Sequence, residues 1–189
     1  MRKTIVVSLT LGAVLALAGC DKPKETPAPA SEPAAPAAAA FSHALTVDAS
    51  GYYMPVTAPS FGKWMLRDIA VGQATDFAAW ETGNRSSTWA PIMIEFEDAT
   101  SPMVQTELGE ARSGQARVLP TSYEVTDTTV RFTGTSPELG EVRFEGVLNA
   151  DALATSRRNL GDEGAVLTGS LTAGGVTIGM VSLRWWGGD

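Results

Sequence analysis

The chain has 189 residues, of which 44% are hydrophobic, a formal net charge of −7, one cysteine and one histidine. A single cysteine excludes an intramolecular disulfide, and one histidine beside it leaves no ligand set for a zinc or transition-metal site. The acidic balance argues against nucleic acid and anionic lipid surfaces as partners, because binding phosphates requires clustered Lys and Arg.

The first residues divide into a short basic start (Arg2, Lys3), an apolar stretch from Ile5 to Ala16, and the small-residue ending Leu17-Ala18-Gly19-Cys20. This pattern predicts a signal peptide over residues 1–19. A membrane span would need about 20 apolar residues to cross roughly 30 Å of hydrocarbon, and this stretch is shorter. Leu17-Ala18-Gly19-Cys20 resembles the lipobox of bacterial lipoproteins. The resemblance implies that Cys20 is diacylated, becomes the new N-terminus and holds the chain to a membrane. At about 0.8 kcal/mol per buried CH₂, two acyl chains anchor stably where one is marginal. Asp21 resembles the retention signal that keeps some enteric lipoproteins in the inner membrane. The implied location is the periplasmic side of the cell envelope, with the inner membrane favoured over the outer.

After the lipidated Cys20, residues 21–40 (DKPKETPAPASEPAAPAAAA) carry five prolines and no bulky apolar side chains. Such a segment builds no core and samples extended conformations near 3.1 Å per residue, a tether reaching roughly 60 Å. Residues 41–189 are then read as a single β-rich domain, long enough to bury a core without metals or disulfides. Lys63 is its only lysine; with nine arginines it faces eighteen carboxylates, a net −8.

Within the domain the predicted elements run as follows. Ala44 to Val47 and Trp64 to Val71 read as strands. A short helix over Phe77 to Glu81 is capped by Thr75 or Asp76, places Phe77 and Trp80 one turn apart and ends at Gly83. Ile92 to Glu97 alternates with Ile92, Ile94 and Phe96 inward. Arg117 to Val125 is a strand broken at Pro120. An internal echo, Val130-Arg131-Phe132-Thr133-Gly134 and Val142-Arg143-Phe144-Glu145-Gly146, flanks Ser136 to Gly140. Folding it about Glu138 sets Phe132 against Phe144 on one face and Arg131 against Glu145 on the other, pairs of about 0.2 to 1 kcal/mol each. A second helix, Ala152 to Leu160, starts from Asp151 and stops at Gly161. A second hairpin joins Val166–Leu171 to Val176–Met180 through Gly174-Gly175, a pair suited to the positive φ of a type I′ turn. Beyond Gly179 the alternation changes phase, so that Val181, Leu183 and Trp185 share one side and a bulge is expected. The sum is an all-β fold, an antiparallel sandwich or flattened barrel with two short helices.

Few residues suggest chemistry. Ser60-Phe61-Gly62-Lys63 fits S-x-x-K, but Pro59 and the internal glycine favour a turn into a strand over the helix that motif needs. His43, at the junction of tether and domain, is expected to be a solvated surface residue without the buried carboxylate a triad requires. Glu95 and Glu97 share one strand face about 7 Å apart, and alternation assigns them to the wet side. Asp98 adjoins them, and Asp162-Glu163 lacks the spaced oxygens of a calcium loop.

Aromatics are the stronger lead: Tyr52, Tyr53, Trp64, Trp80, Trp89, Trp185 and Trp186. In the adjacent pairs Tyr52-Tyr53 and Trp185-Trp186, a strand sends one ring to the core and the other outward. Tyr52, Tyr53, Trp64, Trp185 and Trp186 are the candidate ligand or partner residues. The stretch Phe144 to Leu183, with Asp151-Ala152-Leu153-Ala154-Thr155 and VLTGSLTAGGV from Val166 to Val176, is similar to the closing portion of the YceI-like family. That resemblance covers about a quarter of the domain. It implies a lipocalin fold and a lipid ligand.

The resulting expectation is a membrane-tethered, non-enzymatic binding module for an apolar small molecule or an envelope protein. An envelope-assembly accessory and a hydrolase are the alternatives, and no cofactor is called for. A closed apolar cavity opening near Tyr52, Trp64 or Trp185 favours the small molecule. A filled core with an exposed aromatic patch favours a protein partner, and buried converging carboxylates at Glu95 and Glu97 favour an enzyme.

Overall fold

The computed structural model describes residues 40–107 and 109–188. The predicted signal peptide, Cys20 and the tether up to residue 39 lie outside the described residues. In chain order the elements are β1 Phe41–Ala44, β2 Gly51–Pro55, β3 Ser60–Phe61, β4 Trp64–Val71, α1 Ala74–Glu81, β5 Ile92–Asp98, β6 Met103–Thr106 and β7 Gly109–Arg112. They continue with β8 Gln115–Val118, β9 Pro120–Thr126, β10 Thr129–Ser136, β11 Gly140–Leu148, α2 Ala150–Arg158, β12 Leu167–Ala173 and β13 Val176–Trp186.

One sheet takes the order β1-β9-β10-β11-β12-β13-β2-β4-β5-β8, with β3 added to β4, while β6 and β7 form a separate ribbon. Only Leu119 separates β8 from β9, yet β8 bonds to β5 and β9 bonds to β10. The two ends of the sheet are therefore carried by one stretch of chain that turns a corner, and the sheet curls into a flattened barrel. The all-β fold with two short helices is the one the sequence predicts. β1 extends the sheet beyond β9 as a short strand parallel to it.

Inward-facing side chains fill the interior: Tyr53, Leu66, Ile69, Ile94, Phe96, Phe132, Phe144, Leu167 and Leu171 are all buried in one cluster. Each such side chain contributes roughly 1.5–3 kcal/mol relative to exposure. The echo has a packing reason. Phe132 pairs with Phe144 as the pattern requires, and each ring lies over the glycine two residues on. A Cβ on Gly146 would come within 2.7 Å of the Phe144 ring, and one on Gly134 within 2.9 Å of the Phe132 ring. The repeat V-x-F-x-G thus places a ring and the hollow that receives it on the same face.

The Gly174-Gly175 turn has positive φ at both residues, 58° and 75°. The expected bulge lies where Gly169 pairs with Val181 but Leu171 pairs with Ile178. Both helices start earlier than predicted. α1 is capped at Gln73, with Asp76 Oδ2 accepting from the Gln73 backbone N–H at 2.8 Å. α2 is capped by Asn149, whose side chain accepts from the Ala152 N–H, and it ends at Asn159. Asn149 offers the same side-chain acceptor as Asp151 and lies where the preceding strand ends, so the helix begins there. The predicted Ala44–Val47 strand lies earlier, at Phe41–Ala44, because Asp127 takes the backbone N–H groups of Thr46 and Val47 that a ladder would use.

Candidate functional site

The bulge in β13 sets the outer surface. Past it, Val181, Leu183 and Trp185 point inward and Trp186 points out, and β13 pairs with β2 so that Trp186 stands opposite Tyr52 and Trp185 opposite Tyr53. Tyr52 and Trp186 meet on the outside with ring centroids 5.5 Å apart, 39% and 42% exposed. Their sequence neighbours lie beneath them. Tyr53 is 1% exposed and its hydroxyl donates to the Ala49 carbonyl at 2.8 Å; burial pushes this phenol well above its ordinary range. Trp185 is 9% exposed, donates from Nε1 to the Ser50 carbonyl at 2.9 Å, and has the Arg157 guanidinium 5.0 Å above its ring. Gly51 has φ 139°, and a Cβ there would collide with Trp185 Nε1. Trp64 is buried in the core, away from this pair, under the Lys63 ammonium. The structure therefore brings Tyr52 and Trp186 together at the surface, with Tyr53 and Trp185 supporting them, and leaves Trp64 out.

A depression opens on each side of the pair. One, about 330 Å³, is lined by Met54, Leu160, Glu163, Arg184 and Trp186. The other is a groove of about 620 Å³ that runs from Tyr52 across Ala70 and Met93 to Trp89, which is 40% exposed. Strand register explains its floor, since Tyr52 pairs with Ala70 and Ala70 with Met93. The polar end of the groove comes from a second bulge. Leu66 pairs with Phe96 and Asp68 with Glu95, so Arg67 is an extra residue in β4, and Arg67 and Asp68 both reach the cluster on the outer face. Arg117 stands opposite Glu95 on the far side.

The result is a network of paired charges. Arg117 Nε donates to Glu95 Oε1 at 2.7 Å, and Arg67 Nη2 reaches Glu95 Oε2. Arg67 Nε donates to Asp68 Oδ2 at 2.8 Å. Arg117 Nη1 donates to the Thr88 carbonyl at 3.0 Å, which ties down the loop that carries Trp89. Glu95 and Asp68 are each 5% exposed. Glu95 is thus corrected from a wet-face residue to a covered one, because two arginines and the loop lie over it. Burial pushes the Asp68 carboxyl up, against the hydrogen bond and charge of Arg67, which pull it down. Its Oδ1 has no hydrogen-bond partner among the described residues. Glu97, half-buried, makes none of these hydrogen bonds, though its charge acts on Arg67.

Elsewhere, Asp98 binds Lys63 Nζ at 2.7 Å. The Lys63 bond, followed by the Thr100 hydroxyl, holds the Asp98 carboxyl down to about 2. Ser60 lies in β3 and not on a helix, so S-x-x-K has the strand context expected. His43 is corrected: it is half-buried, its Nδ1 lies 2.9 Å from Glu81 Oε1, and its ring stacks on Phe77. Tyr123 donates to the same Glu81 oxygen at 3.2 Å. Among the described hydrogen bonds, no hydroxyl reaches the other imidazole nitrogen, so the pair lacks the nucleophile that acyl transfer needs. No group of three or more His, Cys, Asp or Glu is placed to hold a metal among the described residues.

Comparison of the chain with family models, with curated proteins and with solved structures returns no match.

Proposed function

We propose that this chain is a lipid-anchored binding module on the periplasmic side of a bacterial membrane, and that it engages an envelope partner on the outer face of its barrel around Tyr52 and Trp186, with no chemical step. The supporting observation is the exposed cross-strand aromatic pair itself. A bulge turns Trp186 outward, two depressions flank the pair, and the barrel interior is filled by side chains. Rings of this kind combine apolar area with a polar tip and little rotamer entropy, which suits a recognition surface.

Photo-crosslinking in the native envelope tests the reading. A photoreactive residue replacing Tyr52 or Trp186 is expected to give one discrete crosslinked species. The same residue at Val147 or Met180, exposed positions on β11 and β13, is expected to give none. Equal labelling at all four positions, or at none, overturns the assignment of this face. For the anchor, Cys20→Ser is expected to abolish incorporation of labelled palmitate and to release the chain from stable membrane association.

A further inference from the structure

Resting on the outer-face reading above, we propose that the groove between Tyr52 and Trp89 is a saccharide subsite, taking uncharged, polyhydroxylated sugar rings. Its volume of about 620 Å³ lies within the usual range of ligand sites, roughly 300–1,000 Å³. Its walls and floor are apolar where a sugar is apolar: Tyr52 and Trp89 are exposed rings, and Ala70 with Met93 makes a low floor between them. One face of a pyranose carries mostly C–H bonds and rests on such surfaces, while its hydroxyls project sideways.

The polar groups match those hydroxyls. Arg67, Glu95, Arg117 and Asp76 are all planar forks with two donor or acceptor atoms side by side. That geometry fits vicinal hydroxyls, each of which both donates and accepts. The network leaves capacity for a ligand: among the described residues no partner falls to Arg67 Nη1 or Arg117 Nη2. Asp68 lies beneath the cluster and off the groove lining, so those two guanidinium nitrogens are the free donors the groove offers.

Charge selects against the other ligand classes. Glu95 lies between the two guanidinium groups, Asp68 holds one of them and Asp76 adds a further carboxyl to the lining, so the groove offers directional hydrogen bonds with no excess of positive charge. The surrounding domain is acidic, with ten basic side chains against eighteen carboxylates, which disfavours phosphates and polyanions. A long acyl chain would desolvate the charged forks while offering no acceptor to Arg67 Nη1 or Arg117 Nη2.

The test uses the full lipidated protein in a detergent without sugar headgroups. The probes are β-1,4-linked hexamers of N-acetylglucosamine and of glucose, with hexametaphosphate and an unstructured acidic peptide beside them. Binding of at least one hexasaccharide is expected with Kd of about 1 mM or tighter, read by calorimetry and by saturation-transfer NMR. The affinity should stay constant between about 0.05 and 0.5 M salt, because no counterions are released. Trp89→Ala and Arg117→Ala should each weaken it about ten-fold, with near-UV circular dichroism confirming the fold. The assignment is overturned by the absence of both sugars up to about 10 mM, by binding indifferent to Trp89→Ala, or by preference for the phosphate or the peptide with a steep salt dependence. Crosslinks at Tyr52 and Trp186 that persist while both sugars fail sink the saccharide alone; loss of those crosslinks sinks the outer-face reading with it.

Discussion

Two cross-strand aromatic pairs stand on the same sheet and do opposite things. Phe132 and Phe144 face each other inside the barrel, both essentially unexposed, each lying over a glycine of its own strand. Tyr52 and Trp186 face each other outside it, about 40% exposed. The pairing geometry is alike, and what differs is the face, set for Phe132 and Phe144 by uninterrupted alternation and for Trp186 by the β13 bulge that reverses it. The inner pair carries stability. The outer pair carries little, and its exposure calls for another reason.

Mutation can break that contrast, with the largest effect expected at the inner pair. Phe144→Ala should cost about 3–5 kcal/mol through lost burial and the cavity left behind, measured by urea denaturation; a loss below about 1 kcal/mol would show that the interior collapses around the gap. Glu95→Gln comes next. It removes the carboxylate shared by Arg67 and Arg117, and because those guanidinium groups are a third to a half exposed, solvent limits the cost to roughly 1–3 kcal/mol. A neutral result would show that the network is fully screened and that the loop bearing Trp89 is held by other contacts.

The Lys63–Asp98 pair sharpens the comparison through pH. Asp98 titrates at about 2 in the folded chain against an ordinary aspartate value near 3.9, so its stabilisation is complete above the ordinary value and is lost as pH falls through about 2. Asp98→Asn should therefore lower Tm at pH 7, and the gap to the parent protein should close between about pH 4 and pH 2. A gap that stays constant across that window would assign the effect to packing. Smallest of all, Trp186→Ala should change stability by under about 1 kcal/mol while eliminating crosslinking at Tyr52. A destabilisation matching that of Phe144→Ala would mean that Trp186 is a structural residue after all.

The sequence pattern exposed what is local. Alternation in Ile92–Asp98 and the V-x-F-x-G echo fix strand faces within a few residues, and the β10–β11 register follows from them. The outward turn of Trp186 was legible too, as a change of phase after Gly179. The polar half of the groove was not. Arg67 reaches it through a one-residue bulge inside an otherwise regular strand, and its partners Glu95 and Arg117 come from two other strands, so no window of sequence contains the arrangement. The His43–Glu81 contact spans 38 residues and left no trace in either neighbourhood. The α2 cap was misplaced because Asn149 and Asp151 offer similar acceptors, and the end of the preceding strand decides between them; the α1 cap was missed because Gln73 is not among the usual N-cap residue types.

The bond from Trp185 to Ser50 joins residues 135 positions apart, and the paired residues of the β2–β13 seam are 128 to 134 positions apart. During biogenesis β2 has no β13 edge to pair with until nearly the entire domain has emerged. The proposed docking face, which needs Tyr52 and Trp186 side by side, is therefore complete only once β13 has paired with β2. Topology of this kind also slows folding, a property that suits the export proposed above, which needs the polypeptide unfolded in transit.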